Sequence, residues 1–301
     1  MDATLIALAT FDGIAYAAMV FMVAVGLTLI FGVLRVLNVA HGSFYAIGAY
    51  ITAGVGVYLI SAGAPGWIAF PLMVIAACVV GVALGGPIEH FLLKRIYMKE
   101  EALQLLVTFA VFMILEDVQR LVWGTNPYWQ SSASDLLGTI EVFGVIYSSY
   151  QLILMPLAAV VVLLGLRYFL RRTQSGRLIL AVTEDREAAT AIGIDADRVY
   201  LMTFVIGAAL AGLGGALHSA STSILPGIGA NMIVLSFAVA ATAGLGQIEG
   251  AAVAALLIGL GRSFAVYIYP ELADLMPYLI MLVVLLIRPE GLFGTSKVRK
   301  I

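Results

Sequence analysis

Charged residues are scarce in this sequence of 301 residues. They make up 11% of it, whereas hydrophobic residues make up 62% and the mean hydropathy is +1.06. Soluble domains usually carry about 25% charged residues. A chain so poor in charge cannot cover a surface that faces water, so we expect its surroundings to be a lipid bilayer. The net charge of −2 decides little by itself, and we expect no nucleic-acid partner.

Cysteine and N-terminal basic residues are nearly absent too. Cys78 is the one cysteine, which excludes an internal disulfide, and its apolar surroundings indicate a small core residue. The first Lys or Arg is Arg35. Because a cleaved secretory signal needs a basic segment at its start, we expect the first apolar segment to remain in the protein.

The residue patterns of catalytic sites are also missing. The histidines His41, His90 and His218 stand in different segments without the spacing of a metal site. No Gly-x-Ser-x-Gly elbow occurs, and the stretch at 291–297 lacks the Gly-Lys-Ser/Thr order of a P-loop. These absences predict a chain that is not an enzyme and binds no cofactor or metal of its own.

What the sequence does contain is a series of long apolar segments. A helix needs about 20 apolar residues to cross the hydrocarbon of a bilayer. Such segments occur at 13–34, 42–62, 66–93, 102–123, 151–170, 201–224, 231–247, 250–268 and 274–288. We therefore predict an all-α polytopic membrane protein of about eight or nine transmembrane helices, forming a single transmembrane domain over 1–301.

The basic residues predict the orientation. Thirteen of the 16 lie in three regions, at 94–99, 167–198 and 288–300. Alternating crossings place all three regions on one side, which the positive-inside rule assigns to the cytoplasm. The N-terminus and the polar loop 124–150, which is rich in turn residues, then lie outside.

Two junctions between apolar segments are too short and too polar for ordinary loops. The first holds Arg35, Asn38, His41 and Gly42 within "LRVLNVAHGSFYAIGAY"; the second, 244–250, holds Gly244 and Gly246. Arg35 fits a snorkelling side chain at a helix end. The others suit re-entrant or broken backbone, which occurs at membrane depth only where protein or a water-filled cavity satisfies it. Two interpretations stay open: the first junction lines a water-filled path through the membrane, or it braces the first two helices.

A few charges lie inside apolar segments, where they are costly and often functional. Glu116 and Arg120 are four residues apart, which places them on one helix face as an expected ion pair. Arg262 is deeper in its segment, and we expect it to face a polar cavity or a partner helix.

The loop 171–200 is long and amphipathic, which predicts a short helix on the cytoplasmic side. Thr183 is the expected N-cap and Gly193 the expected residue just past the helix end. Acidic side chains occupy the first turn, where the helix dipole favours them: Glu184, Asp185 and Glu187. Such a helix either docks into a groove of another protein or lies on the membrane surface, and spacing alone does not decide between the two.

Several motifs resemble one transporter family. "EAATAIG" at 187–193 is similar to the EAA loop of ABC importer permeases. Five further stretches resemble signatures of the branched-chain (hydrophobic) amino acid permease family, in the family's order: 31–50, 85–97, 115–124, 243–261 and 286–294. Asn38 followed by His41-Gly42 resembles the shorter of the two permease subunits. The turn Gln247-Ile-Glu249 departs from the family's usual small residues or proline.

The resemblance implies an ABC importer permease fold and an alternating-access transporter for branched-chain or related small amino acids or amides. It implies a bacterial cytoplasmic (inner) membrane location and three kinds of partner: a second permease subunit, two cytoplasmic ATPase subunits that bind ATP and Mg²⁺, and a periplasmic solute-binding protein. It assigns the coupling helix to Glu187, Ala188, Ala189 and Gly193, with Glu184 and Asp185 beside them.

An alternative is a self-contained secondary transporter or channel. It needs no ATPase partner and uses intramembrane charges as an ion or proton site: Arg35, Glu116, Asp117 or Arg262.

Overall fold

The structure, a computed structural model, describes residues 2–294 and is mostly helical. Apolar segments adopt helices because a helix satisfies its own backbone hydrogen bonds, which hydrocarbon cannot do. The helices are α1 (Ala3–Leu34), α2 (His41–Ser61), α3 (Ala69–Val79), α4 (Glu101–Trp123), α5 (Ser132–Leu137), α6 (Met155–Arg172), α7 (Gln174–Glu184), α8 (Arg186–Ala191), α9 (Ala196–His218), α10 (Ile228–Ala243), α11 (Ile248–Ile268) and α12 (Met276–Ile287).

Two of the spans change helix type along their length. The span Gly66–Arg95 opens with a 3-10 turn at Gly66–Ile68, continues as α3 and then has π-helical turns at Val80–Gly85 and Ile88–Leu92. A 3-10 turn, Leu93–Arg95, ends it, and another, Pro270–Leu272, precedes α12. Tyr150–Leu154 forms a π turn that leads into α6. Such turns are typical of irregular or functional helix segments.

Each of the nine expected apolar segments corresponds to a helix in the described residues. Six spans in the described residues are long and apolar enough to cross a membrane. The predicted segment 102–123 forms α4, which has 23 residues but is not among these six. The helices α10 and α12 are shorter, with 16 and 12 residues. At 1.5 Å per residue they extend about 24 and 18 Å, less than the hydrocarbon thickness of about 30 Å. The expected fold, a polytopic helical membrane protein with broken segments, is confirmed.

The first helix is longer than predicted. It begins at Ala3 rather than at residue 13, and Asp12 lies within it. The Asp12 carboxylate accepts a 2.7 Å hydrogen bond from the Tyr267 hydroxyl of α11. An acidic residue therefore does not end the helix here, because a hydroxyl from a neighbouring helix donates a hydrogen bond to its carboxylate.

The helix α9 forms the centre of the bundle, where it packs against α1, α2 and α3. Glycines allow the backbones to approach closely. A Cβ on Gly48 of α2 would lie 2.6 Å from the Cα of Gly212 of α9, and a Cβ on Gly207 of α9 would lie 2.9 Å from the carbonyl oxygen of Gly26 in α1. Small residues at helix crossings are the usual basis of membrane helix packing.

One end of the bundle, which we call the hairpin end, carries the loop expected to be polar and irregular. The loop is more ordered than predicted: it contains α5 and an antiparallel hairpin of β1 (Thr139–Val142) and β2 (Val145–Ser148). Tyr128 and Ile224 exchange two backbone hydrogen bonds of 2.9 and 3.0 Å, which join this loop to the connection between α9 and α10.

The opposite end, which we call the basic end, gathers the basic regions. Lys94 pairs with Asp197 at 2.9 Å, which joins the first region to the second. The Leu292 and Phe293 N–H groups donate to the carbonyls of Thr242 and Ala243, so the C-terminal segment packs beside the end of α10. Lys297, Arg299 and Lys300, which belong to the third region, lie outside the described residues.

Candidate functional site

The predicted short helix at the basic end exists as α8, but its N-cap is not the expected residue. The Asp185 carboxylate accepts a 3.0 Å hydrogen bond from the Ala188 N–H, while Thr183 lies inside the preceding helix and donates to the Ile179 carbonyl. The prediction of Thr183 as N-cap was wrong. The amphipathic residues before it extend into α7, and the chain turns only at Asp185, whose φ of −149° and ψ of 104° are extended.

The other end of α8 closes as predicted. Gly193 has a φ of +91°, the left-handed conformation that glycine adopts at least cost. Its N–H donates to the Thr190 carbonyl at 3.0 Å, and the Ile194 N–H donates to the Ala189 carbonyl at 3.1 Å. This pair of hydrogen bonds is the Schellman arrangement, which satisfies the last carbonyls of a helix.

One face of α8 is fixed to the bundle. Ala189 is buried, and the Arg186 guanidinium lies 5.3 Å from the centre of the Tyr200 ring in α9. The same guanidinium lies 3.6 Å from the sulfur of Met98, a residue in the connection between the span Gly66–Arg95 and α4. The helix is therefore held against two separate parts of the bundle.

The connection beneath α8 has its own hydrogen-bonded core. The Tyr97 hydroxyl donates to the buried carboxylate of Glu89 at 2.7 Å, and its ring packs edge-on against Tyr200. Burial first, and then the bond to Glu89, raise the pKa of Tyr97, so it stays a neutral donor. These contacts give α8 a rigid base.

The opposite face of α8 is open to solvent and is mostly small. Ile192, just past the helix end, is 79% exposed. The other exposed residues are Glu187, Ala188, Thr190, Ala191 and Gly193, with Glu184 and Asp185 exposed just before them. Small side chains beside the acidic residues suit close docking against another protein. Of the six predicted coupling residues, only Ala189 faces inward.

The first helix break buries its polar residues. Residues 35–40 are non-helical and link α1 to α2. His41 is fully buried, and its Nε2 atom lies 2.9 Å from the Val23 carbonyl oxygen of α1. Asn38 is fully buried as well, and neither polar atom of its amide has a hydrogen-bond partner within residues 2–294. Arg35 is exposed, as expected for a helix end.

Backbone contact explains the glycine of this break. A Cβ on Gly42 would lie 2.9 Å from the Cβ of Ile233, and its nearest neighbour is the carbonyl oxygen of Gly229 in α10. Gly42 therefore lets the first turn of α2 contact the first turn of α10. His41 and Gly42 thus join α2 to α1 and α10, which favours the bracing interpretation for these two residues. The amide of Asn38 has no such contact within the described residues, so a position in the transport path stays open for it.

The second break separates α10 from α11 and is also made by glycine. Gly244 and Gly246 have φ values of +97° and +88°. A Cβ on Gly244 would lie 2.6 Å from the Gly294 nitrogen, and one on Gly246 would lie 2.7 Å from the Cα of Gly32. The backbone reverses here between α1 and the C-terminal segment.

The acidic residue that departs from the family pattern has a local partner. Glu249 lies in the first turn of α11, and its Oε1 atom pairs with Arg167 at 3.3 Å and Arg171 at 3.1 Å. The charge suits a helix N-terminus and ties α11 to the end of α6.

The intramembrane charges lie where the spacing predicted. Glu116 pairs with Arg120 at 2.7 Å, and Asp117 lies 3.5 Å from the same guanidinium. Arg262 pairs with Asp274 at 3.1 Å and lies 4.4 Å above the Tyr16 ring, beside a cavity. Sequence reasoning missed Asp12 as a neighbour of that cavity, because α1 and α11 are brought together only by folding.

Comparison with known proteins identifies the family. The family described as "Branched-chain amino acid transport system / permease component" matches residues 9–285. The chain belongs to this family of permeases. The match confirms the resemblance drawn from the six motifs.

Individual relatives agree with this permease along its whole length. It is 27% identical to the high-affinity branched-chain amino acid transport system permease protein LivH of Escherichia coli (strain K12), covering 97% of this chain and 96% of LivH. It is 29% identical to BraD of Pseudomonas aeruginosa, with 96% coverage of both chains. The permease protein LivM of Escherichia coli (strain K12) is 26% identical over 94% of this chain but only 70% of LivM. The length therefore corresponds to LivH and BraD rather than to LivM.

Proposed function

We propose that this permease forms half of the translocation path of an ATP-driven importer for branched-chain or related small amino acids or amides. The observation that carries the proposal is the match of the permease family over residues 9–285. LivH and BraD carry branched-chain amino acid transport in their names. The basic end then faces the cytoplasm of a bacterial cell, and the hairpin end faces a solute-binding protein.

In this proposal a second, different permease subunit completes the path. Two ATPase subunits bind beneath and supply ATP hydrolysis with Mg²⁺, while this chain binds no cofactor and catalyses no reaction. The match to LivM, a second permease in the same kind of system, supports the pairing. The exposed face of α8 is the surface that an ATPase subunit would contact.

The geometry of α8 supports a role in coupling. Four residues separate α8 from α9, and Arg186 on α8 packs over Tyr200 on α9. Movement of an ATPase subunit that displaces α8 therefore displaces α9, the central helix of the bundle. Closure of the ATPase pair on ATP would then alternate the access of the path between the two membrane sides.

Reconstitution tests the function. The permease pair, the ATPase subunits and the binding protein are assembled in proteoliposomes, and uptake of labelled leucine is measured with and without ATP. We expect uptake that requires ATP and the binding protein. Leucine uptake that persists without any ATPase subunit would instead establish the secondary transporter or channel.

Charge reversal on α8 tests the coupling residues. Glu187→Arg combined with Gly193→Leu should abolish both uptake and substrate-stimulated ATPase activity, because it changes the charge and the closing turn of the exposed face. Arg177→Glu, an exposed charge reversal on α7, is the control and should retain both activities. If the double variant keeps wild-type uptake and ATPase activity, the assignment of α8 is wrong.

A further inference from the structure

A cavity of about 480 Å³ lies among α1, α6, α10 and α11. Small-molecule sites typically have volumes of about 300–1,000 Å³. The end of α9 also reaches the cavity through His218, whose Nδ1 atom is hydrogen-bonded to the Tyr45 hydroxyl of α2. The cavity therefore touches the central helix that begins beside α8.

Two opposite charges line this cavity without neutralising each other. Arg262 projects from α11, and its nearest acidic partner is Asp274 at 3.1 Å. Asp12 projects from α1, and within residues 2–294 it has no cationic partner inside 4.0 Å. Its hydrogen-bond donor is the Tyr267 hydroxyl at 2.7 Å. A guanidinium has five N–H donors and a carboxylate has about four acceptor positions, so both groups keep capacity for a ligand.

The hairpin places a further phenol beside the carboxylate. Burial first, and then the neighbouring Asp12 carboxylate, raise the pKa of Tyr147 in β2. Asp12 therefore lies beside two phenols at the side of the cavity nearest the hairpin end, and the Tyr267 hydroxyl donates to its carboxylate.

The rest of the lining is suited to an apolar side chain. Met19, Met155 and Met232 come from three different helices, and Val266 lies one turn beyond Arg262. Methionine is flexible and fits ligands of different shapes. Ser221 adds a buried hydroxyl oxygen without a hydrogen-bond partner in residues 2–294.

We infer that this cavity is a transient binding site for a small zwitterionic amino acid with an apolar side chain. Arg262 binds the α-carboxylate, Asp12 accepts from the α-ammonium group, and the methionines contact the side chain. Guanidinium groups bind carboxylates through paired hydrogen bonds. The inference rests on the proposed transport function and names where in this subunit the solute binds.

Paired variants in the reconstituted importer test the role of Arg262. Arg262→Gln removes the guanidinium, and Asp274→Asn breaks the same ion pair while it keeps the guanidinium; Asp274 is 89% exposed. We expect Arg262→Gln to lower leucine uptake by about tenfold or more, the effect of losing one hydrogen bond to a charged group. Asp274→Asn should retain uptake close to the wild type. Equal losses in both variants would show that Arg262 serves the ion pair, which would overturn the inference.

Site protection tests the ligand directly. Val266→Cys places a thiol in the cavity wall, and Cys78→Ala in the same chain removes the native thiol. The new thiol reacts with aminoethyl methanethiosulfonate, and mass spectrometry measures the rate of this labelling. Excess leucine should slow labelling several-fold, whereas 3-methylbutylamine, without a carboxylate, and 4-methylpentanoate, without an amine, should not. The control thiol, Ser61→Cys, is exposed outside the cavity and should react equally under all conditions.

The outcomes separate this inference from the proposed function. Protection by 4-methylpentanoate as strong as by leucine indicates a simple carboxylate site and overturns the zwitterion assignment. ATP-dependent leucine uptake without any protection of Val266→Cys overturns the site while the transport function stands. A wild-type importer that does not take up leucine overturns the proposed function itself.

Discussion

The N-cap of α8 gives the sharpest test of how the coupling segment is held. The helix has six residues, and helices this short are not stable by themselves in water. The Asp185 carboxylate accepts from the Ala188 N–H at 3.0 Å, and the Asp185 carbonyl accepts from the Ala189 N–H at 3.0 Å. Asp185→Ala removes only the first of these bonds. Loss of such a cap costs about 1 kcal/mol.

That cost predicts a measurable local opening. About 1 kcal/mol changes an equilibrium roughly fivefold, so the amide hydrogens of 188–194 should exchange about five times faster in Asp185→Ala. The measurement is hydrogen exchange with mass spectrometry on the assembled importer. Leucine uptake should fall while basal ATPase activity remains, because a frayed α8 no longer moves α9 with the ATPase subunit.

Two control variants separate the cap from its charge. Asn caps helices about as well as Asp, so Asp185→Asn should exchange at the wild-type rate although it lacks the charge. Asp195→Ala removes the N-cap of α9, where the carboxylate accepts from the Arg198 N–H at 3.1 Å, and should leave α8 exchange unchanged. Wild-type exchange in Asp185→Ala, or equally fast exchange in Asp185→Asn, would refute the capping argument.

Three further predictions concern the bundle. Asn38→Leu should leave assembly intact, because it removes an unsatisfied buried amide; a loss of uptake in that folded complex would place Asn38 in the path. Gly48→Ala should lower the yield of assembled complex in detergent, because its Cβ would lie 2.6 Å from the Cα of Gly212. The control Gly165→Ala should give the wild-type yield, because its Cβ would meet nothing within 4 Å. Glu249→Gln should change the melting temperature only slightly, because its exposed ion pairs contribute about 0–1 kcal/mol.

The hydropathy pattern located every long helix because lipid offers no hydrogen-bond partners. Each apolar segment therefore satisfies its own backbone groups by forming a helix. All nine predicted apolar segments form helices in the structure, and both polar junctions are non-helical links between helices. Residue type also located α8, since a capping side chain and a closing glycine are local signals. Of the three acidic residues expected in its first turn, only Glu187 lies there, because Glu184 ends α7 and Asp185 is the N-cap. The helix bounds were less accurate: the start of α1 was placed ten residues too late, because the neutral hydroxyl that satisfies Asp12 comes from Tyr267, distant in sequence.

The cavity could not be predicted from sequence for the same reason. Its charged residues, Asp12 and Arg262, are 250 positions apart in the chain, and no spacing rule connects them. Arg262 was recognised as unusual from its depth in an apolar segment, whereas Asp12 lies one residue before the first predicted segment, 13–34, and drew no prediction. The hairpin was missed because its strands of four residues each carry little periodic signal.

The central helix connects the two candidate sites through contacts that do not permit sliding. α9 begins four residues after α8 and ends at His218 in the cavity wall. At three levels along α9 its glycines contact neighbouring backbone: Gly207 with Gly26, Gly212 with Gly48, and Gly215 with Tyr45. Because packed backbones cannot slide past one another without overlap, a displacement at α8 must carry α1, α2 and α9 as one body. The same rule fixes α11 to α1, because a Cβ on Gly259 of α11 would lie 2.6 Å from the carbonyl oxygen of Gly13 in α1. Asp12 and Arg262 lie on these two joined helices, so we expect a displacement at α8 to reach both charged residues of the cavity through α9 and α1.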